Sequence, residues 1–131
     1  MSPAAIEGLT LDTGALIALD HPSKSLDMQR RLDTTRRRGG ALCVPVEVIA
    51  QAWRGSRQVR LARLLNSPDV EIARMDLSTA RAIGMLCAQT GHDDVVDVHV
   101  ALCARQRNHA VVTSDSSDIA RVDSSLTILA V

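Results

Sequence analysis

Aromatic residues are almost missing from this sequence. The 131-residue chain has no Phe, no Tyr and a single Trp, Trp53. Its core must therefore be assembled from Leu, Val, Ile, Ala and Met. The base-stacking platforms of RRM and OB modules are excluded along with the rings. Lysine is equally scarce, with Lys24 alone among the 15 Lys and Arg residues. No run of 18 apolar residues occurs, so no transmembrane helix is predicted. The opening MSPAAIEGLTLD has no basic start followed by a long apolar stretch, which predicts no signal peptide. The three cysteines, Cys43, Cys87 and Cys103, form no CxxC pair, and each lies among apolar neighbours. Buried, reduced thiols in a cytoplasmic protein are the expectation. His21, His92, His99 and His109 show no zinc-site spacing. His99, between Val98 and Val100, reads as a satisfied helix residue. Neither GxxxxGK[ST] nor GxGxxG is found, so P-loop and Rossmann phosphate cradles are excluded.

What is there fits one domain over residues 1–131, a length that buries a sizeable core without staples. The net charge is zero but unevenly placed. Residues 30–63 carry nine Arg against Asp33 and Glu47, a local +7. Residues 93–123 carry six Asp against three Arg, a local −3. The asymmetry points to a basic surface beside an acidic site.

Apolar strands alternate with helical patterns along the chain. Strands are predicted at 9–11, 41–44, 70–73, 110–113 and within the closing LTILAV. Helices are predicted over 13–19, over 24–38 anchored by Leu26, Met28 and Leu32, from Pro45 to Arg54, and over 57–65. Further helices are expected over 79–89 with Ser78 as N-cap and Ile83, Leu86 and Cys87 inward, over 94–106, and over 116–121. This order predicts an α/β fold, a parallel sheet with helices on both faces.

Such sheets bind ligands at the carboxyl ends of their strands, where the strand order reverses. Asp12 ends the first strand and Asp115 follows the fourth. Asp94 and Asp97 lie three apart on the first turn of one helix and share a face. Glu47 lies one turn into the helix after strand two. Asp commonly caps helices and fills turns, which is account enough for any one of these. Several at matching strand and helix ends point instead to a site. Two carboxylates ~4 Å apart repel by about 4 kcal/mol at an effective dielectric near 20, so convergence calls for protonation or a cation. Oxygen-only donors favour Mg²⁺ or Mn²⁺.

Three stretches, LDTGALIAL, DVVDVHVAL and VVTSDSSD, together resemble the acidic motifs of the PIN-domain family, and more narrowly those of VapC toxins from toxin–antitoxin pairs. The similarity spans nearly the whole chain, in order. It implies a three-layer α/β/α fold with a parallel five-stranded sheet. It also implies an Mg²⁺- or Mn²⁺-dependent endoribonuclease acting on RNA, a cognate antitoxin and a homodimer. By motif, Asp12, Asp97 and Asp115 match the family's acids, with Asp94 and Asp118 as additional acids at these sites. Arg54 and Arg57 are expected to position the RNA backbone, as charge-assisted phosphate contacts.

One motif departs from the pattern. The family places a Glu four residues before a glycine after strand two. In VPVEVIAQAWRG that position, counted from Gly55, is Gln51. Glu47 lies one turn earlier on the same helix face and is the expected substitute. The rival reading is a PIN-fold module without strong catalysis that binds RNA or a protein. A nuclease acting on DNA is a further alternative. A phosphoacceptor receiver domain would need a lysine at a later strand end, where this chain has none.

Overall fold

A computed structural model describes residues 6–131. Residues 1–5, which open the segment read for a leader, lie outside the described residues. The strands are β1 (Gly8–Leu11), β2 (Ala41–Pro45), β3 (Val70–Ala73), β4 (His109–Thr113) and β5 (Ile128–Ala130). The helices are α1 (Thr13–Ala18), α2 (Ser25–Arg37), α3 (Val46–Ala52), α4 (Val59–Leu65), α5 (Leu77–Thr90), α6 (Val95–Arg107) and α7 (Ser116–Val122). All pairings are parallel, in the order β3-β2-β1-β4-β5. Right-handed crossovers then place α1 to α4 on one face and α5 to α7 on the other. Helix α6 lies across β1, β2 and β4 and forms the centre of its layer.

The core is aliphatic, as the missing rings require. Leu11, Leu16, Leu19, Leu42 and Val44 are fully buried between the sheet and the first helical layer. Each contributes roughly 1.5–3 kcal/mol on leaving water. A second cluster of Ile83, Leu86, Val98, Leu102 and Val122 joins α5, α6 and α7. The hydroxyl of Thr10 on β1 meets His109 Nδ1 on β4 at 3.1 Å, so this polar pair is satisfied inside the sheet.

Several expectations are corrected at element ends. Helix α5 starts at Leu77 and is capped by Asp76, which accepts from Thr79 N at 2.8 Å. A carboxylate is the stronger acceptor, so it displaces Ser78 as the cap. Helix α3 stops at Ala52, short of Arg54. Pro45 closes β2 and stands before α3 rather than in its first turn. Helix α4 begins only at Val59, where the Asp20 carboxylate accepts from Arg60 N and Leu61 N, each at 3.0 Å. That cap comes from 40 residues away and leaves no local signal. Leu26 is 61% exposed, because Met28 and Leu32 at i, i+4 define the inward face of α2. Cys87 is half-buried, whereas Cys43 and Cys103 are buried, and all three thiols are free.

Candidate active site

The strand order reverses between β1 and β4. The crevice at a switch point opens at the carboxyl ends of these two strands. Asp12 stands directly after β1, and Asp115 stands two residues after Thr113, the last residue of β4. The two loops touch through the sequence itself. Gly14 lies so close to Ser114 that a Cβ there would come within 2.3 Å of its hydroxyl.

Asp12 is 3% exposed and both its carboxyl oxygens are occupied. Oδ1 accepts from Thr13 N at 2.7 Å, capping α1, and Oδ2 accepts from Thr113 Oγ1 at 2.7 Å. The same Thr113 oxygen accepts from Asp115 N at 2.9 Å, so one threonine ties the two motifs together. Burial pushes the Asp12 carboxyl above its ordinary range. The two threonine hydrogen bonds oppose that rise, and the charges of Asp115 and Asp94 add to it.

Asp94 is the N-cap of α6, with Oδ1 accepting from Val96 N at 3.0 Å and Asp97 N at 3.1 Å. Asp97, one turn in, is 8% exposed. Burial raises its carboxyl as well, a hydrogen bond from His92 opposes this, and Asp94 and Asp12 push it further up. Asp12, Asp94, Asp97 and Asp115 are therefore electrostatic neighbours. Asp118 sits on α7, half-exposed, 3.6 Å from Arg121.

Glu47 and Gln51 leave α3 toward different elements. Thr13 Oγ1 donates to Gln51 Oε1 at 2.5 Å, which holds Gln51 beside Asp12. Glu47 Oε1 lies 2.5 Å from His99 Nδ1 on α6, and its Oε2 is buried with no hydrogen-bond partner. Burial alone would lower the His99 imidazole, but hydrogen bonds with Cys103 and Glu47 prevail and hold it up at about 9. The free Cys103 thiol is in turn hydrogen bonded to that of Cys43 on β2. His99, Cys103 and Arg107 are i, i+4, i+8 on α6, and Arg107 pairs with Glu71 at 2.7 Å. A polar stripe thus runs along α6 inside an otherwise apolar interface. His99 is satisfied in the helix, as its sequence context predicted.

Arg54 Nη1 donates to Trp53 O at 2.7 Å and Ala50 O at 3.2 Å, folding back on the end of α3. Arg57 is exposed in the same α3–α4 corner, and Trp53 beside it is 39% exposed. His92, Thr13 and Thr113 hold the site's acids without being acidic themselves; His92 shows no zinc-site spacing, and its bond to Asp97 crosses a loop, so no local signal marks it.

The donor chemistry suits a hard divalent cation. The side chains are carboxylates, two of them buried and raised first by that burial and further by neighbouring aspartates. Among the described residues, however, no three His, Cys, Asp or Glu side chains stand close enough together to grip one ion. Mg²⁺ commonly keeps several waters and takes one or two carboxylates directly, which this spacing allows. A doubly wound sheet with clustered aspartates at its switch point defines an acidic-site α/β domain.

Comparison with known families narrows this class. The PIN domain family matches residues 9–124, and the chain belongs to that family. No curated protein matches it. Solved structures that share the fold include two Fit proteins. FitAcB from Neisseria gonorrhoeae is 18% identical, with a TM-score of 0.66 over 92% of this chain and 96% of that one. FitAB bound to an IR36 DNA fragment is 16% identical, with a TM-score of 0.64 over 93% and 94%. The predicted parallel five-stranded α/β architecture is the observed one.

Proposed function

We propose that this chain is a divalent-metal-dependent endoribonuclease, the toxin of a VapC-type toxin–antitoxin pair. The observation that carries the reading is the pair of buried carboxylates, Asp12 and Asp97, raised by burial and by neighbouring aspartates at the switch point. Carboxylates held in that state are offset by a cation. Asp12, Asp97 and Asp115 would hold Mg²⁺ or Mn²⁺, directly or through water, with Asp94 and Asp118 flanking. When bound, such an ion acidifies a water and polarises the scissile phosphate. The chain supplies the rest. Thr13 and Thr113 fix the Asp12 carboxyl, and Arg57 offers its guanidinium to the RNA backbone from the α3–α4 corner, with Arg54 beside it. The VapC resemblance adds a cognate antitoxin, a homodimer and a cytoplasmic location to this reading. Among the described residues no helix is long and apolar enough to cross a membrane.

The test is cleavage of a structured RNA and a matched DNA with Mg²⁺ or Mn²⁺, with and without EDTA. RNA cleavage that stops on chelation is expected. Cleavage that persists unchanged in excess chelator would falsify the metal reading.

Gln51 favours a second reading, a PIN-fold module with weak catalysis. We assign Glu47 the charge that Gln51 lacks, supported by its unpartnered Oε2. Glu47→Gln is then expected to weaken Mn²⁺ binding and cleavage by about tenfold. Adding Gln51→Glu should recover most of both, since it returns the charge to the family's position. Cleavage by Glu47→Gln at the wild-type rate would leave Glu47 as a partner of His99 only.

A further inference from the structure

We infer that His92 is a positioning residue for Asp97, holding one carboxyl oxygen so that the other faces the crevice. The inference rests on the metal-site reading above and adds to it a residue that no acidic motif contains.

The α5–α6 loop is built to place this ring. Helix α5 ends at Gly91, whose φ of +72° belongs to the left-handed region and suits glycine. Gly91 N donates to Cys87 O at 2.9 Å. Thr90 Oγ1 donates to Leu86 O at 2.7 Å and accepts from His92 N at 3.3 Å, clamping the turn from inside. Asp94 then caps α6 two residues later. His92 is therefore held between two capped helix ends.

From there its Nε2 lies 3.0 Å from Asp97 Oδ2. The two side chains are only 14% and 12% exposed. A donor nitrogen at this distance fixes the carboxyl plane by a charge-assisted bond. Among the described residues it is the only side chain hydrogen bonded to the Asp97 carboxyl. The carboxyl groups of Asp94 and Asp12 act on Asp97 by repulsion instead. Without His92 the carboxyl would be free to rotate away from them. Groups that orient a metal-binding carboxylate from behind commonly carry 10- to 100-fold of metal affinity.

Two variants of His92 test this by Mn²⁺ titration, read as free Mn²⁺ by electron paramagnetic resonance, alongside melts in EDTA. His92→Leu deletes the donor, and His92→Gln keeps an N–H at similar reach. His92→Leu is expected to bind Mn²⁺ about 10- to 100-fold more weakly, and His92→Gln within about threefold of wild type. Their chelated melting temperatures should lie within a few degrees of wild type. Wild-type affinity in His92→Leu overturns the inference and leaves the metal site intact. Equal losses in both variants, tracking a fall in melting temperature, also overturn it, because His92 would then only pin the loop. A wild-type protein that binds no Mn²⁺ removes the metal reading, and His92's role with it.

Discussion

Asp97→Asn is expected to abolish RNA cleavage while leaving the chelated protein as stable as wild type or more so. The loss should exceed 100-fold, the upper range for groups that act on a metal only through its ligands. The asparagine keeps the side chain's size and an acceptor for His92 and removes only the charge. Asp94, not Asp97, caps α6, so the helix start is unaffected. The pH dependence has a definite sign. Burial raises the folded Asp97 carboxyl above its unperturbed 3.8, and Asp12 behaves alike. A group shifted this way contributes stability that is fully present below the unperturbed value and is lost as pH rises through the folded value. The advantage of Asp97→Asn in EDTA should therefore be present at neutral pH and vanish below 3.8. Melts of both proteins across this window decide it. A large destabilisation of the variant at neutral pH would show that Asp97 holds the fold together rather than a cation.

The second large effect lies at the other end of β1. Gly8→Ala should cost about 3 kcal/mol, the upper part of the range for overpacking. A Cβ at Gly8 would stand 2.1 Å from Ala41 O and 2.8 Å from both Ala41 N and His109 Nε2. Two of these atoms are backbone atoms of β2, and β1 is the central strand, so Ala41 cannot yield without opening the β1–β2 ladder. For a domain of this size the loss corresponds to a melting temperature lower by roughly 10 °C. The folded fraction should still cleave RNA, since Asp12 lies at the opposite end of the strand. A shift under about 2 °C would mean that β1 and β2 separate cheaply there.

The sequence was most legible where the signal is local. The strands stand out because they are largely apolar, only Thr10 interrupting Gly8–Leu11 and only Glu71 interrupting Val70–Ala73, and because Gly39 and Gly91 end helices visibly. The acids were legible because Asp12 and Asp115 fall at strand ends and Asp94 and Asp97 share one helical turn. What escaped depends on chain segments meeting across the fold. The Asp20 cap of α4, the Thr13–Gln51 bond, the pairing of Glu47 with His99 and that of His92 with Asp97 each join different elements or a loop to a helix. The separate directions of Glu47 and Gln51 show the limit of helix-face arguments. An i, i+4 pair shares a face, but its partners on α1 and α6 decide where each side chain goes.

The missing rings also determine what can be seen of this protein in solution. With no Tyr or Phe, Trp53 is the only ultraviolet fluorophore, and it lies half-exposed at the α3–α4 corner beside Arg54 rather than in the core. Emission therefore reports one surface corner, and the aliphatic interior is silent in fluorescence. A fluorescence-detected unfolding curve measures the loosening of that corner, while far-ultraviolet circular dichroism measures the helices as a whole. The same placement makes Trp53 a built-in, label-free sensor for any molecule that settles on the arginines next to it.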